Sequence, residues 1–343
     1  MSMQQYIARR LLLMIPLLIG ITLISFIISH SVPGDPIGAH LSQKAMEDPE
    51  IVAQFRKSWG LDKPLWKQYV IYLGNLVRGD LGTSIRTHRP VLADLARFLP
   101  ASAELAISAT LFSMLIGVPF GVISAIRHDK ALDHIVRIIS LLGVSTPVFW
   151  LALISLYIFY FQLGWLPGPG RLDPGMGLDV QANITGMYTI DTLLKGDLET
   201  FVIAIKHLVL PSLVLGSSAL GIVTRITRSS TLEVLQQTYV RTARSKGLAE
   251  RAVIFRHVLK NSLIPTVTVI GLSFGGILAG TVLTETIFTW PGIGRYAYQS
   301  SITLDFPAIM GVSMLIAVTF SGVNLATDIL YAFLDPRLRM EGK

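Results

Sequence analysis

One stretch of this chain leaves few ways to fold. From Leu11 to Ser29 the sequence LLLMIPLLIGITLISFIIS follows the pair Arg9 and Arg10 without a single charged residue. About 20 such residues, wound as a helix, cross the hydrocarbon of a bilayer. Thirteen of them are Leu, Ile or Phe. Each favours insertion by roughly 0.3–0.6 kcal/mol at a helix centre, so the sum far outweighs Pro16 and Gly20. The run exceeds the apolar core of a secretory signal, and no small-x-small cleavage site follows it, so it is expected to remain as a span.

Five further apolar stretches follow, at about Leu99 to Ile126, Ile135 to Leu163, Val202 to Val223, Leu263 to Phe288 and Pro307 to Leu334. The composition agrees, with 51% hydrophobic and 15% charged residues, where a soluble domain carries about a quarter charged. The expected fold class is an all-α membrane protein with six transmembrane helices. There is no cysteine, which excludes a disulfide framework and a thiolate metal site.

The net charge of +7 would suggest nucleic acid in a soluble chain. Here its placement reads as topology. Arg9 and Arg10, then Arg127 and Lys130, then eight Lys or Arg from Arg225 to Lys260, and finally Arg337, Arg339 and Lys343 all fall on one side of a six-span arrangement. By the positive-inside rule that side is the cytoplasm, so both termini are expected there. The loop of residues 164–201 holds two basic residues, Arg171 and Lys195, against five acidic ones, as an outward loop should. The chain therefore divides into an N-terminus and first span (1–30), an extracytoplasmic cap (31–98), a core of spans two to six (99–334) containing a basic loop (225–262), and a cytoplasmic tail (335–343).

The middles of the spans lack the titratable groups that ion-coupled carriers bury. Glu104, Glu285 and Asp328 fall towards span ends, while the third span reads LLGVSTPVFW. Ser140, Ser145, Thr146 and Trp150 are candidates for a polar pathway, although small and hydroxylated residues also serve ordinary helix packing. Glu285 and Trp290, in LTETIFTWPGIG, are candidates for a gate or an outer docking point, with a structural role as the alternative. No HExxH or P-loop is present, the histidines lack metal-ligand spacing, and no catalytic site or metal is expected.

The basic stretch RTARSKGLAERAVIFRHVLKNSLIP, residues 241–265, carries a second message. Leu248, Ala252, Phe255 and Leu259 recur at helical spacing, with Arg244, Lys246, Arg251, Arg256 and Lys260 around them. Gly247 stands where a turn or helix cap belongs, between this segment and the helix-like TLEVLQQTYVRTARSK. Pro265 then fits the start of span five. A basic helix lying on anionic lipid needs no such turn, so the pattern favours a protein partner that receives the apolar seam in a groove.

The segment YVRTARSKGLAERAVIFRHVLKNSLIP resembles the EAA loop of ABC-transporter permeases of the dipeptide, oligopeptide and nickel import family. So do ARRLLLMIPLLIGITLISFIISHSVPGDP, GLDKPLWKQYVIYLGNLVRGDLGTSI, LTETIFTWPGIGR and LYAFLDPRLR, in the order that family shows. Arg241, Thr242 and Ala243 stand where the general motif has Glu-Ala-Ala, and Gly247 keeps the motif's glycine.

The resemblance implies a MetI-like fold in a prokaryotic cytoplasmic (inner) membrane, with a loop that docks on an ATPase. It also implies a second homologous permease, two cytoplasmic ABC ATPase subunits carrying ATP and Mg2+, and an extracytoplasmic substrate-binding protein as partners. No cofactor is expected on this chain. Import of dipeptides or short oligopeptides is the leading expectation. Nickel chelates, glutathione or oligosaccharides are the alternatives within the family, and a stand-alone channel, a carrier or a receptor the alternatives outside it.

Overall fold

A computed structural model describes residues 3–31, 48–50, 52–53, 63–176 and 184–334. Most of residues 32–62 of the expected cap, and the tail 335–343, lie outside the described residues. Among the described residues the chain is helical, and its one β contact is an isolated bridge between Thr83 and Pro90.

Five helices among the described residues are long and apolar enough to cross a membrane. They are α1 (Met3–Ser31), α3 (Val91–Ile126), α7 (Leu198–Leu235), α9 (Glu250–Ala279) and α12 (Phe306–Leu334). The third apolar run was expected as one span and is instead two helices, α4 (Ala131–Ser145) and α5 (Val148–Gln162), bent by 105°. Pro147 is the cause. It disfavours the helical region for the residue before it, and Thr146 is extended at φ −79° and ψ 127°. Shorter helices complete the chain: α2 (Leu65–Val77), α6 (Tyr188–Lys195), α8 (Thr238–Ser245), α10 (Val282–Ile287) and α11 (Ile293–Ile302).

The fifth apolar run also differs from expectation. Its helix starts at Glu250, keeps Pro265 in its interior and stops at Gly280, after which α10 is a separate short helix. From Glu250 onward the basic segment and the span are thus one continuous rod.

Helix α7, 38 residues long and half buried along its most apolar stretch, is the element around which the others assemble. It packs on α3 most extensively, and also on α9, α4 and α6. In a bilayer, association of helices rests on close packing more than on hydrophobicity, so small residues sit at the contacts. Gly221 of α7 is such a place: a Cβ there would collide with the Ser140 carbonyl oxygen and come within 2.7 Å of Val144 Cγ2. The side chains at the contact satisfy themselves, as when Ser140 Oγ donates to the Val136 carbonyl at 2.8 Å.

Polar clasps hold the two ends. At the basic end, Arg228 of α7 grips Asp133 of α4 through Nε and Nη2, both at 2.7 Å, and Ser124 Oγ of α3 donates to the same carboxylate at 2.5 Å. At the opposite, loop-rich end, Arg171 donates to Glu104 of α3 at 2.6 Å, with Glu104 buried and the Arg171 side chain 9% exposed. Thr189 of α6 adds two donors to Glu104, at 2.6 and 2.7 Å. Helix α1 leans on α12 through Arg10 and Asp328 at 3.0 Å, and α2 lies against α1, with Tyr69 donating to the Ile19 carbonyl at 3.1 Å.

Two outcomes follow from this packing. Gly221→Leu is expected to separate α7 from α4, because overpacking costs roughly 1–3 kcal/mol even where neighbours yield and here a backbone carbonyl stands in the way; the melting temperature and the monodisperse yield in detergent should both fall. Asp133→Asn leaves Arg228 without its counter-charge. Removing one partner of a buried pair costs about 3–5 kcal/mol, and the low end applies because Arg228 is 19% exposed. Thermal unfolding of purified protein checks this, and an unchanged midpoint would refute it.

Candidate functional site

The basic segment folds as a bracket at the end of the bundle. Helix α7 ends at Leu235, α8 runs from Thr238 to Ser245, and the chain turns at Gly247 to enter α9 at Glu250. Gly247 sits at φ +74°, and its N–H donates to the Arg244 carbonyl at 2.9 Å. A glycine adopts this left-handed conformation without the Cβ penalty. Arg244 spans the turn and grips Glu250 at 2.6 and 3.1 Å, and this hydrogen bond holds the Arg244 guanidinium above its ordinary pKa. Asn261 donates from Nδ2 to Tyr239 Oη at 2.8 Å, tying α8 to α9 a second time.

The inner side of the bracket is apolar. Val240, Ala243, Val253 and Val258 are buried together, with Val234 and Leu235 packed against them. The valines of α9, five residues apart, share this side because Val253–Val258 is wound as a π-helix, in which hydrogen bonds run to the fifth residue along. That winding corrects the expected seam. Leu248 and Phe255 are exposed, at 43% and 71%, while Ala252 and Leu259 are half-buried. The four do not form one buried or one exposed face. Ala243, carried over as a motif position, is part of the anchor. The outward surface instead carries Arg241, Thr242, Arg244, Lys246, Leu248 and Phe255. Val240, Val253 and Val258 were missed, since a helical period of 3.6 does not connect residues five apart.

The other candidates lie elsewhere and are not brought together. Ser140 is in the contact between α4 and α7, where its carbonyl faces Gly221. Ser145, Thr146 and Trp150 flank the bend at Pro147, with Trp150 half exposed and Thr146 Oγ1 donating to the Leu142 carbonyl at 2.7 Å. Glu285 and Trp290 were candidates for a gate and are buried fasteners. Glu285 accepts from Ser102 Oγ at 2.6 Å and from the Arg295 N–H at 2.9 Å. Trp290 donates from Nε1 to the Ala101 carbonyl at 2.8 Å, and the Ile293 N–H donates to Ser102 Oγ at 2.7 Å. The segment after Gly280 is thereby locked onto α3, because buried polar groups in a membrane must find partners inside the protein.

Comparison with known proteins agrees with this architecture. Residues 3–110 match the N-terminal family of binding-protein-dependent transport system membrane components, and residues 117–340 match the inner membrane component itself. The dipeptide transport system permease protein DppB of Alkalihalophilus pseudofirmus is 44% identical over 98% of this chain and 100% of its own length. The di/tripeptide permease DppB of Pseudomonas aeruginosa is 44% identical over 98% of this chain and 99% of its own. The oligopeptide permease AppB of Bacillus subtilis is 39% identical over the same shares. Among solved structures, the inward-facing methionine ABC transporter MetNI matches with a TM-score of 0.50 at 13% identity, covering 70% of this chain and 96% of that one, which is a likeness of fold. With its helices, its broken span and its basic bracket in that setting, the chain belongs to the family of binding-protein-dependent transport system inner membrane components.

Proposed function

We propose that this chain is the membrane-spanning permease subunit of an ATP-driven importer of dipeptides or short oligopeptides, and forms half of the translocation pathway beside a second, homologous permease. The observation that carries this reading is end-to-end similarity to permeases named for dipeptide and di/tripeptide transport. ATP and Mg2+ belong to two partner ATPase subunits, and an extracytoplasmic binding protein delivers the substrate.

The bracket supplies the coupling. With the basic end in the cytoplasm, an ATPase meets Arg241, Arg244 and Lys246, whose charge steers acidic partners, and Leu248 and Phe255, whose burial would supply affinity. Helix α8 is anchored by Val240 and Ala243 and bound to α9 by the Arg244–Glu250 pair. Since α9 continues unbroken to Ala279, a displacement of α8 reaches the middle of the membrane through one rod. Movement of rigid elements about an interface is a common form of switching.

Leu248→Asp removes an exposed apolar contact and leaves the buried anchor intact. Burial of a Leu side chain is worth roughly 1.5–3 kcal/mol, so affinity for the ATPase pair should fall roughly ten- to a hundredfold, with normal insertion and loss of dipeptide uptake. Gly247→Pro cannot adopt the turn, as proline fixes φ near −65°, and should also abolish uptake. Uptake of a labelled dipeptide by cells expressing the complete importer measures both effects, with nickel chelate, glutathione and oligosaccharide as competitors. Normal uptake by either variant, or competition by one of those three and not by dipeptide, would overturn the respective part of the reading.

A further inference from the structure

A cavity of about 710 Å³ opens along α4 and α7 at the basic end. That volume is the size of a small-molecule site. Its two halves differ in chemistry. Towards the end of the bundle stand Arg137 of α4 and Arg225 and Arg228 of α7, while Ile138, Leu141 and Val144 line the wall along α4 towards the bend. Ile138, Leu141 and Val144 are 58%, 65% and 43% exposed, and nothing among the described residues covers them.

The three arginines are not equivalent. Arg228 is engaged with Asp133, whereas Arg137 and Arg225 are exposed and make no ion pair among the described residues. A ligand here meets two unpaired cations at one end and an aliphatic wall at the other. Of the other polar residues that line it, Ser140 Oγ is bonded to its own helix, His134 is exposed, and Thr224 Oγ1 is buried without a hydrogen-bond partner among the described residues. We propose that this groove holds an anionic phospholipid, with its phosphate at Arg137 and Arg225 and an acyl chain along Leu141 and Val144. Basic pockets between transmembrane helices near the membrane surface are suited to such headgroups.

Charge decides against a peptide in this place. A zwitterion would need an acceptor for its ammonium group, but no carboxylate lines the groove, and Asp133, behind Arg228, is fully buried and occupied by Arg228 and Ser124. An amphiphile with negative charge alone fits both halves. The direction also agrees, since α4 runs from the basic end at Ala131 towards its bend at Thr146, which places head and tail in the order a lipid leaflet presents them.

The test is native mass spectrometry of the full chain, as purified with its partner subunits, in nanodiscs of equal phosphatidylglycerol and phosphatidylcholine. The wild type is expected to retain phosphatidylglycerol about tenfold over phosphatidylcholine. Arg137→Gln with Arg225→Gln should bring the preference close to one, Arg137→Lys with Arg225→Lys should keep it, and Leu141→Trp should reduce retention of both lipids by filling the groove. All these positions are exposed, so folding is preserved and elution from a sizing column verifies it. Equal retention of the two lipids by the wild type would overturn the proposal. So would a preference that survives the double Gln variant, displacement of retained lipid by Ala-Ala dipeptide, or loss of the second permease in the double variant in place of loss of lipid.

Discussion

The structure depends on how closely α7 approaches its neighbours. A hydrocarbon solvent gives apolar helices little reason to associate, so contact must come from packing and from polar groups that find partners only in each other. Gly221 lets the backbone of α7 touch that of α4, and Gly216 does the same against α3, where a Cβ would lie 2.7 Å from the Ala109 carbonyl oxygen. The Arg228–Asp133 pair then fixes the rotation of α7 against α4 at one end. At the other, Arg171 reaches from the loop to Glu104, with its guanidinium 3.8 Å from the ring centre of Tyr188. These clasps confine the charges to the bundle ends and leave the helix middles to small and aliphatic residues.

The bracket at the basic end follows from the same rigidity. Four buried apolar residues hold α8 against the roots of α7 and α9, and the turn at Gly247 is bridged by an ion pair. An exposed pair of this kind contributes little stability, on the order of 1 kcal/mol or less, so its value lies in fixing geometry. A surface held this firmly transmits force. A flexible loop would absorb it.

Much of this was legible in the residues. The apolar runs mark the spans because their length and lack of charge leave no other solution, and Gly247 marks a turn because a glycine between two helical patterns has few other uses. The seam of Leu248, Ala252, Phe255 and Leu259 was misread because spacing at 3.6 residues per turn assumes an α-helix, and the π-winding of Val253–Val258 shifts which side chains face inward. Glu285 and Trp290 stood as candidates for a gate or docking point, with a structural role as the alternative, because an acid and an indole near a span end are conspicuous. Their partners, Ser102 and the Ala101 carbonyl, lie far away in sequence on α3.

By itself, then, the sequence determined that this chain spans a membrane, which segments do so, where its positive charge collects and where the chain must turn. These are properties of local composition and backbone preference. Only the tertiary structure decided that the third run is bent at Pro147 by 105°, that Glu104 and Asp133 are paired with Arg171 and Arg228, and that an uncovered groove lies beside α4. Each of these depends on which helix faces which across residues far apart in the chain, and that is settled by close packing and by the demand that every buried polar group be satisfied, not by any periodicity along one segment.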